Sequence, residues 1–297
     1  MNNASSHNAY YIERDITAWY ENGSLWDRIS GINGYDEFEG IFPGCWFSIS
    51  RRINNPSPNA GLGNDKILIL GCNSLYYIGS TQQMPIPIDI EKGVVGKITF
   101  NHIVCCPKGY FGNAHFTDPN ATPPVKITGG YLGSYINQSI IGPPTTTGNI
   151  AGTVNEQLYA EFGGHLKSFM KILSSSIDET VQNSLKGIGG RLGAVDKKTI
   201  TLVQSLIMSG CEVLGFDPGS SSFYDESCNH TQFPAFKFSK EAILSDVKEN
   251  SYWLRSFVSY NKDNPPKPMC GSINFNGRYN EDISEKNHGI RPCFILA

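Results

Sequence analysis

No window of the sequence approaches the ~20 apolar residues that a membrane-spanning helix needs. The opening stretch, MNNASSHNAYYIERD, also lacks the basic start and apolar run of a signal peptide. The expectation is a chain made in a cytoplasm, without a signal peptide, and not inserted in a membrane. Charge is sparse too: Asp, Glu, Lys and Arg supply 17 % of 297 residues, and the net charge of −3 is scattered without a basic stripe. Nucleic acid, which is held by clustered Lys and Arg, is therefore not an expected partner.

The signatures of common chemistries are missing as well. A phosphate-cradling loop needs G-x-x-x-x-G-K-[ST], but GVVGKI at 93–98 has the wrong spacing and GGRLGA at 189–194 does not follow a strand. Neither G-x-S-x-G, HExxH nor a calcium-binding EF-hand loop occurs. The eight cysteines contain no CxxC pair, and several lie inside apolar strings such as KILILGC and HIVCCP. They read as free core thiols, and the adjacent Cys105 and Cys106 are expected on opposite faces of a strand. The six histidines are dispersed, and His165, beside an apolar stripe, reads as a hydrogen-bonded residue at the edge of the core. The chain is expected to be no enzyme and to use no cofactor and no metal.

What is abundant is turn chemistry. With 31 glycines and 17 prolines, the sequence implies a loop-rich, strand-containing fold, and its length allows roughly 75 % of the unfolded surface to be buried. Residues 1–22 read as a polar docking arm carrying Tyr10, Tyr11, Trp19 and Tyr20, ahead of a domain over 23–297. SLWDRIS (24–30) predicts a helix capped by Ser24 with Leu25 and Ile29 inward, followed by strands at 44–53, 65–72 and 97–106. Pro85 and Pro87 suit an edge strand or extended loop, and about 107–153 reads as a loop-rich insertion. Leu158, Phe162, Leu166, Phe169 and Leu173 recur at spacings of three and four, which predicts a helix over 154–176. Leu202, Val203, Leu206 and Ile207 predict a second over 196–215.

Two closing strings, SYWLRSF (251–257) and GIRPCFILA (289–297), read as paired buried strands, each with an arginine at its centre. Arg255 and Arg291 need carboxylate or carbonyl partners there, and Asp263, Glu281, Asp282 and Glu285 are the candidates for them or for Arg278. The segment between the strings concentrates Tyr, Asn, Ser, Gly, Lys and Arg, a composition shared by binding loops and plain turns. Its candidate ligand-binding residues are Tyr260, Asn261, Asn264, Arg278, Tyr279 and Asn280.

SYWLRS, SINFNG and GIRPCFIL resemble the C-terminal signature of a domain family of bacteriophages and prophages of Gram-positive gut bacteria, with a C-type-lectin-like fold. SLWDRI, FEGIFPGCWFSI, NHIVCCPKGYFGNAHF, TGGYLGSYI, FGGHLKS, LVQSLIMSGCEVLG and TQFPAFKF extend the resemblance upstream in order. It implies an α+β fold of short antiparallel sheets, two main helices and long loops, with the N- and C-terminal strands close together. It implies that Trp253, Leu254, Arg255, Arg291, Pro292 and Phe294 form structural core. It further implies a virion structural protein for host-surface attachment or for decoration of head or tail. The partners would be other virion proteins, a host cell-surface glycan or protein, and further copies in a homo-oligomer. Tyr10, Tyr11, Trp19 and Tyr20 are then the candidates for virion docking, and in similar receptor-binding proteins the variable residues correspond to about 257–288.

The chain departs from calcium-dependent lectins: it has no Glu-Pro-Asn or Gln-Pro-Asp triplet, and Asp118-Pro119-Asn120 falls in another region. A stand-alone glycan-binding module without calcium is the alternative. An enzyme of the formylglycine-generating type ranks last, because Cys270 and Cys293 are its only counterparts and nothing around them matches.

Overall fold

The computed structural model describes residues 5–50, 53, 65–74, 100–121, 130–142, 152–177, 196–215, 232–244, 246, 251–260 and 267–297. A seven-stranded sheet is built around the C-terminal strand β14 (Pro292–Leu296), whose five residues are all buried. On one side β14 pairs antiparallel with β4 (Ile103–Pro107), register Phe294↔Cys105, and on the other with β6 (Leu166–Lys167) and β9 (Ser205–Ile207). Beyond β4 follow β3 (Asp65–Cys72), β2 (Cys45–Ile49) and the short parallel strand β1 (Arg14–Asp15). Strands covered on both faces carry unbroken apolar runs, as ILILGC, IVCCP and PCFIL do here. Pro292 stands at the first position of β14, where a missing N–H is tolerated.

A second, five-stranded sheet runs in the order β12 (Tyr279–Ile283), β11 (Pro268–Ile273), β10 (Tyr252–Tyr260), β13 (His288–Gly289), β5 (Asn113–Ala114). A two-stranded ribbon, β7 (Phe169–Ile177) with β8 (Asp196–Val203), completes the β structure among the described residues. The only described helices of seven residues or more are α2 (Ser24–Ser30) and α3 (Val154–Phe162). The mixed α+β character stands, and no described helix is long and apolar enough to cross a membrane. The N- and C-terminal strands are not neighbours: β2, β3 and β4 separate β1 from β14.

Both long helices expected from the spacing are corrected. Thr153 caps α3, accepting from the Glu156 N–H, but the helix stops at Gly163, which takes φ 53°. Leu166 then lies in β6, and Phe169 and Leu173 are buried from β7, because a spacing of four keeps residues on one face of a strand as well as of a helix. Over 196–215 the chain forms β8, β9 and one short helix, α4 (Gly210–Leu214). Leu202 is exposed while Val203 is buried, the alternation of a strand, and Thr199, Ile200 and Thr201 favour it. Ser24 is the first residue of α2, whose cap position is Gly23, while Leu25 and Ile29 are buried as expected. The segment at 85–87 lies outside the described residues.

The boundary drawn after residue 22 is not a structural one. Asn8 pairs through its amide with both backbone groups of Cys72 (2.7 and 2.8 Å), and Ile16 is buried in the core. Tyr20 stacks on Phe47 at 4.9 Å and donates to Glu161 (2.6 Å). Trp19 lies under the Arg28 guanidinium, in the helix α2, and Tyr11 packs against the core. Of the four aromatics assigned to docking, Tyr10 alone is largely exposed.

The two arginines are buried and fully engaged. Arg255 grips Glu212 with two bonds (2.6 and 3.0 Å) and donates to the Ile207 carbonyl. Glu212 is also the third residue of α4 and accepts from the Ser209 N–H, while the Ser209 hydroxyl accepts from its own, a capping box. Arg291 has carbonyl partners instead: Pro107, Ala242 and Ile243 at 2.8–3.0 Å, with the Phe236 and Tyr252 rings beside it. Of the four carboxylates expected for these arginines, Asp263 lies outside the described residues; Asp282 pairs with Lys286 and Glu285 with Lys267 instead, while the partner of Arg255, Glu212, is distant in sequence.

Removing one member of a buried ion pair strands the other charge. Glu212→Ala is expected to lower unfolding stability by about 3–5 kcal/mol in chemical denaturation, and Glu212→Leu with Arg255→Met to recover most of it.

Candidate functional site

Among the described residues of the segment expected to bind, the hairpin β11–β12 carries the most exposed part. Its turn is organised by Asn274, whose side-chain oxygen accepts from the N–H groups of Asn276 (3.0 Å) and Arg278 (3.1 Å). Gly277 donates to the Asn274 carbonyl and sits at φ 72°, a conformation that favours glycine. This holds Phe275 outward with 58 % of its surface exposed, beside exposed Asn276, Arg278 and Asn280.

Beneath the tip the polar groups serve the scaffold. Asp282, buried in β12, accepts from Ser272 (2.7 Å) and Asn280 (2.9 Å), contacts His288 Nε2 (2.9 Å) and pairs with Lys286. Burial alone would raise its carboxyl, but the bonds from Lys286 and Ser272 and the charge of His288 outweigh it and bring it down to about 2. Burial pushes His288 below its ordinary value, against the upward pull of Asp282. The His288 ring packs on Trp253 (centroids 4.4 Å), whose indole donates to the Ala114 carbonyl (2.7 Å). His115 contacts the Glu285 carbonyl, Thr117 bonds Ser284, and Lys267 pairs with Glu285, which laces the segment after β12 to residues 115–117.

Serine, aspartate and histidine thus meet, but in the wrong order for nucleophilic catalysis. The Ser272 hydroxyl donates to the carboxylate rather than to the imidazole, and it is fully buried. The Cys270 thiol is buried and pushed well up, the opposite of an activated nucleophile, and Cys270 and Cys293 lie in different sheets. Among the described residues no group of three or more His, Cys, Asp or Glu side chains could hold a metal ion.

Of the predicted ligand residues, Arg278 and Asn280 stand at the tip and the edge of β12. Tyr279 is half-buried, its ring covering Gly271 so closely that a Cβ there would meet it at 3.1 Å. Tyr260 closes β10 opposite Pro268, while Asn261 and Asn264 lie outside the described residues. Phe275, Asn276 and His288 are not among the residues expected at the site, and Asp282 is expected only as a partner for an arginine, although Asn-x-Asn-Gly between two strands is a hairpin signal that points at the first two. Trp253, Leu254, Arg255, Arg291, Pro292 and Phe294 are all buried. His165 contacts the Ala297 carbonyl (2.9 Å) and stacks on Trp26 at 3.8 Å.

Compared with known proteins, the chain matches no family model, no curated protein and no solved structure.

The site has two pH windows. Asp282 is held below the usual carboxylate value, so its stabilisation is complete above about pH 4 and is lost as the pH falls towards 2. His288 is held below its usual value, so the unfolded chain takes up that proton first and stability falls as the pH drops below about 6.5. Denaturation across pH 7 to 2 is expected to show both declines, with Asp282→Asn flattening the lower one.

Proposed function

We propose that the chain is a structural component of a bacteriophage particle that presents the β11–β12 hairpin outward, for attachment to a host surface or as a decoration of head or tail. One observation carries the reading: the tip exposes Phe275, Asn276, Arg278 and Asn280 together, on a sheet in which Asp282 and His288 are engaged in bracing it. A rigid aromatic anchor with amides and an arginine around it suits recognition of another surface, where such residues contribute most of the binding energy. The resemblance of the closing strings to a phage domain family supports the same assignment. Peptide mass spectrometry of gradient-purified particles is expected to find the chain at a copy number comparable to other structural proteins. Its presence in the lysate but absence from particles would overturn the proposal.

A stand-alone, calcium-independent glycan-binding module is the second reading, and one observation favours it. Residues 5–22 are held by their own domain, so their order requires no other subunit.

Attachment through the tip is measured by binding of the labelled chain to host cells in the presence of a chelator. Phe275→Ala and Arg278→Ala are each expected to weaken binding about tenfold, or ~1.4 kcal/mol, while leaving the thermal midpoint unchanged because both side chains are exposed.

A further inference from the structure

We infer that Asn276, at the tip of the β11–β12 hairpin, is a deamidation site that converts to aspartate or isoaspartate without an enzyme. The sequence contains three Asn-Gly pairs, at 22–23, 33–34 and 276–277. A glycine after asparagine removes the side chain that otherwise hinders attack of the next backbone nitrogen on the carboxamide carbon.

The three pairs differ in how the asparagine is held. The Asn22 side-chain oxygen accepts from the Ser24 N–H at 2.9 Å, and the Asn33 amide donates to the Asp27 carboxylate at 3.0 Å. Asn276 is exposed and bonded only through its backbone N–H, so its carboxamide is free to turn towards Gly277. Charge points the same way. The Asp27 carboxylate bonded to Asn33 opposes an anion forming beside it, whereas the residue that follows Gly277 is the cationic Arg278. The Gly277 N–H does close the turn onto the Asn274 carbonyl at 2.8 Å, as the Gly23 N–H does onto Tyr20 at 3.2 Å. In a hairpin tip where Phe275, Asn276 and Arg278 are exposed, that bond opens at small cost, because local openings are cheapest where few apolar contacts are lost.

In the reaction, hydroxide removes the Gly277 amide proton and the nitrogen attacks Cγ of Asn276, forming a C–N bond and a five-membered succinimide. The Cγ–Nδ2 bond breaks, and the leaving nitrogen takes a proton from water to depart as ammonia. Water then adds to either ring carbonyl and breaks the C–N bond on that side, leaving aspartate or isoaspartate. The sum is one water in and one ammonia out, with no electrons exchanged. The product places a carboxylate beside Arg278, and the isoaspartate form adds one carbon to the backbone of the turn.

This inference rests on the turn alone and holds whether or not the hairpin attaches to anything. The test is peptide mapping of the folded chain after incubation at mildly alkaline pH, separating aspartate from isoaspartate peptides. Conversion at 276 is expected to run several-fold faster than at 22 or 33 and to accelerate as the pH rises. Earlier conversion at 22 or 33 would overturn it, as would an intact Asn276 in the folded chain over a period in which the denatured chain converts there. Asn276→Gln, whose longer side chain would have to close a six-membered ring, is expected to lose the signal while keeping the thermal midpoint. Persistence of the ammonia release and mass shift in that peptide would assign the chemistry elsewhere.

Discussion

The interior position of β14 is the constraint on which the structure depends. The five residues Pro292–Leu296 are covered on both faces and paired on both edges, with β4 on one side and β6 and β9 on the other. Phe294 lies within 6.3 Å of the Phe111 ring and 5.8 Å of Phe162, so strand, loop and helix converge on it. At about 1.5–3 kcal/mol per buried large side chain, Phe294, Ile295 and Leu296 together contribute a share comparable to the whole net stability of a typical domain. The seven-stranded sheet therefore closes only when the last strand is in place.

The buried arginines connect that closure to the hairpin tip. Arg291, just before β14, draws together the carbonyl ending β4 and those of Ala242 and Ile243. The Ile243 carbonyl also accepts from Tyr252 in β10, and the Leu244 side chain lies where a Cβ on Gly277 would meet it at 3.2 Å. Arg255, in β10, reaches Glu212 and the carbonyl of Ile207 in β9. Desolvating two guanidinium groups is expensive, and each site offsets it by filling the fork of donors. The sheet that carries the tip is thus fastened to the sheet that holds the core.

Strands with one unambiguous signal were legible from residues alone. DKILILGC matches β3 to the residue; the closing strings fall on β10 and β14, but these belong to different sheets and do not pair with each other as expected. The helices over 154–176 and 196–215 were not, because a spacing of four satisfies both periodicities and only Gly163 and the β-branched run at 199–201 decide between them. Residues 5–22 looked like an arm because they are polar. What embeds them is the backbone mimicry of Asn8 and the burial of a lone Ile16, neither of which leaves a compositional trace. At the candidate site, Arg278 and Asn280 were visible as exposed polar residues of a turn. The hub at Asp282 was not, since Ser272, Asn280, Lys286 and His288 meet only once the register Cys270↔Asp282 is set.

One cooperative core, closed by β14 and including residues 5–22, carries a solvent-facing tip. Native-state hydrogen exchange followed by mass spectrometry tests it most directly. Peptides covering 12–17, 253–255 and 293–297 are expected to exchange only through global unfolding, and 274–278 to exchange faster through local opening. Rapid exchange over 12–17 or 293–297 under native conditions, at the rate of the tip, would contradict the account.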